Sequence, residues 1–148
     1  MKRVVKLILP LVGVFLLQSC FLYAVYGLYR TVQDINYVLT MVNTSLTRIR
    51  TVVNEGKDLN RAAKDGTLIT SLAEKIPTLV QKEVSRAFNE KINLLSHDLK
   101  LSSLDFTRNA VAENLLGATK AYNDMAGTFN RFGDLMSEMD QAATQGGS

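Results

Sequence analysis

Histidine and cysteine occur once each in these 148 residues, tryptophan not at all, and proline twice. A single cysteine, Cys20, excludes a disulfide within the chain and reads as a small apolar residue. A single histidine, His97, with no second imidazole or thiolate nearby, cannot begin a zinc site of the usual kind. It reads as a solvated residue near a helix end. No phosphate loop of the GxxxxGK type is present, since Gly56 and Gly66 stand alone. Carboxylates are spread singly, a turn or less from basic residues, as Glu83 and Glu90 are around Arg86. Such pairs contribute a few tenths of a kcal/mol to a solvated face and do not make an acid–base dyad. The expectation is a protein without catalytic residues, cofactor or metal, and not an enzyme.

Surplus charge is missing too. Of 17 basic residues, Lys2, Arg3 and Lys6 stand at the N-terminus, and the 14 that remain balance 14 acidic residues. The net charge of +3 therefore belongs to the N-terminal tip, and a basic patch suited to counterion-driven nucleic-acid binding is not expected. There is no internal repeat of the solenoid kind, and the only low-complexity stretch is the Gln145-Gly146-Gly147-Ser148 end.

Residues 7–29 form an uncharged, mostly apolar run flanked by the basic tip and Arg30. As a helix it covers about 34 Å, enough for a hydrocarbon core of about 30 Å. Basic residues before the run predict a cytoplasmic N-terminus and a C-terminal domain on the far side, the periplasm of a bacterial inner membrane. Tyr23, Tyr26 and Tyr29, followed by Arg30, suit a membrane interface. The same residues admit another reading. Residues 1–6 and 7–17 also fit the charged and apolar regions of a secretory signal. Leu17-Gln18-Ser19-Cys20 resembles the lipobox of bacterial lipoproteins, which implies acylation and cleavage at Cys20. Gln18 departs from that pattern, and the apolar run continues for nine residues past Cys20. An uncleaved signal-anchor is the preferred reading on length.

Beyond the run the expected fold class is all-α. Leu28, Val32, Ile35, Leu39, Val42, Leu46, Ile49 and Val53 make an unbroken heptad seam that starts within the apolar run. Gly56 weakens this helix, and Lys64-Asp65-Gly66-Thr67 is read as its stop. A second helix is expected over 68–100, with Ser71 and Glu74 in capping-box spacing, Pro77 at a first-turn position or a kink, and a stripe of Leu72, Ile76, Val80, Val84, Phe88, Ile92, Leu95 and Leu99. A third is expected from a Ser102 cap to Asp140, with a seam of Val111, Leu115, Ala118, Tyr122, Met125, Phe129, Phe132, Met136 and Met139. The division is thus a basic tip (1–6), a transmembrane helix (7–29), a helical ectodomain (30–140) and a disordered tail (141–148). Short links predict an antiparallel three-helix bundle, with an oligomeric coiled coil as the competing arrangement.

These features predict a non-enzymatic single-pass membrane protein, a structural or adaptor subunit of an envelope-spanning assembly for secretion, conjugation, division or a phage-related role. Its expected partners are the lipid bilayer, other membrane or envelope proteins and further copies of itself, with no nucleic acid. In topology alone it resembles phage inner-membrane spanins and small divisome coiled-coil proteins. Candidate oligomer or partner seams are Val32, Ile35, Leu39, Val42, Leu46 and Ile49, and the face of Tyr122, Met125, Phe129 and Phe132, whose bland alternative is core. Alternatives are a lipoprotein adaptor acylated at Cys20, and a periplasmic helical sensor. The sensor would signal only through a partner, because no second apolar span follows Asp140. Asn43-Thr44-Ser45 matches a glycosylation sequon and carries low weight in a heptad helix.

Overall fold

The computed structural model describes the backbone of residues 2–145 and the side chains of residues 23–145. Among the described residues the fold is all-α, with four helices and no strand: α1 (Lys2–Glu55), α2 (Leu59–Lys75), α3 (Arg86–Val111) and α4 (Leu115–Gln145). Among these residues no helix is long and apolar enough to cross a membrane. The apolar run at 7–29 falls, over 7–22, outside the described side chains, as does Cys20.

Four helices form where the sequence pattern suggests three, and each differing boundary has a local cause. Gly56 ends α1 in a left-handed conformation (φ 64°), and Asp58 follows it there (φ 58°). Two positive φ values within three residues reverse the chain, and glycine tolerates this at no steric cost. The stop anticipated at Lys64-Asp65-Gly66-Thr67 instead lies inside α2. Pro77 follows α2 directly, in the first turn of a 3-10 segment, Ile76–Leu79, after which Val80 is extended. Proline lacks the N–H that would continue the α-helical ladder.

Ser85 then caps α3, its Oγ accepting the Phe88 N–H at 3.4 Å. Ser102, expected to open a helix, lies inside α3 and donates to the Asp98 carbonyl at 2.9 Å. Glu113, left-handed at φ 53°, ends that helix. Asn114 starts the next, its Oδ1 accepting the Gly117 N–H at 3.2 Å. α4 continues past Asp140 to Gln145, so 141–145 are helical rather than a disordered tail.

The helices form a ring in which α1 packs on α2 and α4, and α3 packs on α2 and α4. Cross-helix pairs fix the three sequential neighbours as antiparallel, which leaves α1 and α4 antiparallel as well. Arg48 of α1 bonds Asp65 of α2, while the earlier Thr31 meets the later Gln81. Glu74 and Lys100 pair across α2 and α3, as do Thr70 and Ser103. Lys91 reaches Glu138 and Asp98 reaches Arg131 across α3 and α4. Short links make this up-down-up-down arrangement the natural one.

The core runs the length of the ring. Ile35, Val42 and Ile49 of α1, Ile69 of α2, Ile92, Leu99 and Phe106 of α3, and Met125, Phe132 and Met139 of α4 are fully buried. α2 and α3 meet through small residues. Ala62, Ala63 and Gly66 are buried, and a Cβ on Gly66 would stand 2.8 Å from Phe106 Cδ1. The buried hydroxyls are satisfied: Ser96 donates to the Ile92 carbonyl at 2.7 Å, and Ser103 to the Lys100 carbonyl at 2.8 Å. No described buried side-chain polar atom lacks a hydrogen-bond partner.

Candidate functional site

The ring has two ends, called here foot and head. At the foot, α1 enters the bundle at Gly27, where the 80–85 connection crosses it. A Cβ on Gly27 would lie 2.9 Å from Glu83 Cβ, and the Gln81 N–H donates to buried Thr31 Oγ1 at 3.0 Å. At the head, Gly56 faces Leu115, with 3.3 Å from the glycine's Cβ position to Leu115 Cδ2. Stepping equally along both antiparallel helices from that pair brings Ala143, near the end of α4, level with Leu28. Both the entry of α1 and the last turn of α4 therefore lie at the foot.

Tyr23, Tyr26 and Tyr29 stand on α1 at the foot and are 69%, 61% and 49% exposed. The Tyr29 hydroxyl accepts from Gln33 Nε2 at 2.6 Å, and Arg30 lies 3.8 Å from Asp34. The neighbouring connection adds exposed Lys82 and Glu83, and Arg86 bonds Glu90 at 2.6 Å. At the head Val111 and Leu115 are exposed, and Leu116 is 83% exposed. An apolar tip thus stands at the opposite end from the tyrosines.

The seam residues fall elsewhere. Val32, Ile35, Leu39, Val42, Leu46 and Ile49 are all buried in the chain's own core. Their heptad spacing is used against α2 and α4, so they offer no open face to a second copy. On α4, Met125 and Phe132 are fully buried, while Tyr122 and Phe129 pack partly buried against the core. These two edge a groove of about 250 Å³ beside α1, shared with Asn43, Leu46, Thr47 and Arg50. The methionine-rich face is therefore core with a partly open rim.

Sequence reasoning passed over the outer face of α3. Leu94, Leu101, Leu104 and Val111 are exposed there, spaced 7, 3 and 7, with His97 exposed among them. Their signal was present as a second heptad set, hidden behind the stronger inward stripe of Ile92, Leu95 and Leu99.

An open groove of about 550 Å³ runs between α3 and α4 beside Asp98, Asp105, Asp124 and Arg131. Its cation is engaged, since Arg131 donates to Asp98 Oδ2 and Thr128 Oγ1, each at 3.0 Å. Among the described residues no group of three or more His, Cys, Asp or Glu side chains is placed to hold a metal ion. The guanidinium of Arg48, at the contact of α1 with α2, has a displaced pKa. Its hydrogen bond to Asp65 raises it above its ordinary value, with the carboxylate's charge adding in the same direction and partial desolvation opposing. An arginine held charged at a helix–helix contact is structural chemistry.

No protein-family model, curated protein or solved structure matches this chain.

Proposed function

We propose that this chain is a single-pass membrane protein, anchored by residues 7–29. Its helical bundle serves as a non-enzymatic structural or adaptor subunit of an envelope assembly. The observation that carries this reading is the exposure of Tyr23, Tyr26 and Tyr29 at the foot. Among the described side chains of α1 the inward residues from Val32 to Val53 are buried and Tyr37 stands alone on the outer face at 70% exposure, whereas three exposed aromatic rings cluster where the uncharged run joins the bundle. Amphipathic rings in that position suit the boundary between hydrocarbon and water. Lys2, Arg3 and Lys6 favour a cytoplasmic N-terminus, which puts the bundle on the other side, in the periplasm of a bacterial inner membrane.

The adaptor role is mechanical. The anchor fixes the foot, and the head stands about 40 Å away at the rise of an α-helix. Among the described residues the apolar head and the outer leucines of α3 are open to other chains, whereas the α1 seam from Val32 to Ile49 is occupied within the chain.

Alkaline extraction of native membranes, followed by intact-mass measurement, tests the anchor. Retention in the membrane pellet with residues 1–19 still attached is the expected result. Recovery in the soluble fraction overturns the anchor. A new N-terminus at an acylated Cys20 replaces it with lipid attachment.

A further inference from the structure

From the depth of the foot we infer that the bundle is seated in the phospholipid headgroup layer, with the 80–86 segment in contact with lipid, instead of standing off the membrane on a helical stalk. This inference rests on the proposed anchor and adds a second lipid-facing element to it.

The geometry is set by α1. Between Tyr23 and Tyr29 the helix rises about 9 Å, similar to the headgroup region, which adds about 5–8 Å to each side of the hydrocarbon core. Gly27 lies within that interval, and Glu83 packs on it so closely that a Cβ there would meet Glu83 Cβ and Oε2 at 2.9 Å. The 80–85 connection is therefore at tyrosine depth. It is also fastened there, because Gln81 donates its backbone N–H to Thr31 Oγ1 and Val84 is buried among the core residues.

The exposed side chains of this segment suit such a layer. Lys82 and Glu83 lie next to each other, and Arg86 follows with its side chain 92% exposed. Together they present both signs of charge, matching a surface of phosphates and ammonium groups better than the hydrocarbon interior. A glycine at position 27 is then explained: the anchor helix must be bare at the one point where the connection crosses it.

The chain contains no tryptophan, so one introduced indole is a unique reporter. The full-length protein, reconstituted in phosphatidylcholine–phosphatidylglycerol vesicles, is compared as Tyr26→Trp, Lys82→Trp, Arg86→Trp and Leu116→Trp, each checked for helicity by circular dichroism. Quenching is measured with lipid carrying a headgroup nitroxide and with aqueous iodide. Lys82→Trp and Arg86→Trp are expected to be quenched by the nitroxide lipid to within about two-fold of Tyr26→Trp, all three sharing one depth. Leu116→Trp is expected to respond to iodide alone. If Tyr26→Trp is quenched by the lipid while Lys82→Trp and Arg86→Trp behave like Leu116→Trp, the seating is wrong and the anchor stands. If Tyr26→Trp also escapes the lipid quencher, both fall.

Discussion

Replacing Gly66 with alanine adds one methyl group at the close contact of α2 with α3, and the sign of its effect depends on two opposing terms. In a helix interior alanine is favoured over glycine by about 1 kcal/mol, so an unobstructed site gains stability. At Gly66 the new Cβ would stand 2.5 Å from Thr107 Oγ1, 2.8 Å from Phe106 Cδ1 and 3.4 Å from the Ser103 carbonyl. Neither close neighbour gives easily. The Thr107 hydroxyl is bound to the Ser103 carbonyl at 2.9 Å, and Phe106 is fully buried. Overfilling a packed site by one carbon typically costs about 1–3 kcal/mol, so the net effect of Gly66→Ala is a loss of about 1 kcal/mol. Gly127 and Gly133, inside α4, have nothing within 4 Å of their Cβ positions. There the same substitution keeps the propensity gain, up to about 1 kcal/mol. Urea unfolding of the full-length protein in detergent, followed by circular dichroism, should move the midpoint down for Gly66→Ala and up for Gly133→Ala. A Gly66→Ala midpoint that rises alongside Gly133→Ala would refute the close approach of α2 and α3.

Phe132→Ala should destabilise by about 3–5 kcal/mol, and Phe129→Ala by clearly less because its ring is only partly buried; the same unfolding assay ranks them. Thr31→Val keeps the shape but leaves the Gln81 N–H without its acceptor. It should cost about 1–3 kcal/mol and speed amide hydrogen exchange at Gln81. Asp65→Asn should cost no more than about 1 kcal/mol, the pair being half-exposed on the Arg48 side. Because Arg48 is raised, its stabilisation is complete at every pH below its ordinary value and fades only as strong alkali approaches the higher value of the folded state. Across about pH 6 to 9 the wild-type minus Asp65→Asn difference should therefore stay flat in pH-dependent melts.

The inward face of α1 was legible, since every seam member from Val32 to Val53 is buried and only Leu28 at its start is partly open, because a heptad carried over many turns admits no other face. The helix breaks were harder to read, for reasons that differ at each. Gly66 resembles a helix stop by composition, but its role is to let two backbones approach, a property of the neighbouring helix invisible along the chain. The stripe from Leu72 to Leu99 remains apolar across the 76–85 break because Ile76 and Val84 are buried there without forming one continuous helix. Periodicity records burial, and a buried connection carries the same letters as a buried helix. The turn at 112–114 has neither glycine nor proline, and only Asn114 three residues before Gly117 marked it.

At the two ends the same difficulty recurs. Tyr23, Tyr26 and Tyr29 could be singled out from sequence because their spacing adjoins an apolar run. Leu116 could not, since Val111 and Leu115 extend the α4 seam on paper. The left-handed Glu113 turns them out at the head.

An even number of passes has a practical consequence for labelling this molecule. With α4 ending beside the entry of α1, a tag placed after residue 145 reports on the surroundings of the tyrosines, while the far extremity is reached only through the hairpins at 56–58 and 112–114. An epitope inserted at Lys57 and one placed directly after Gln145 would thus sample regions separated by the height of the bundle, about 40 Å.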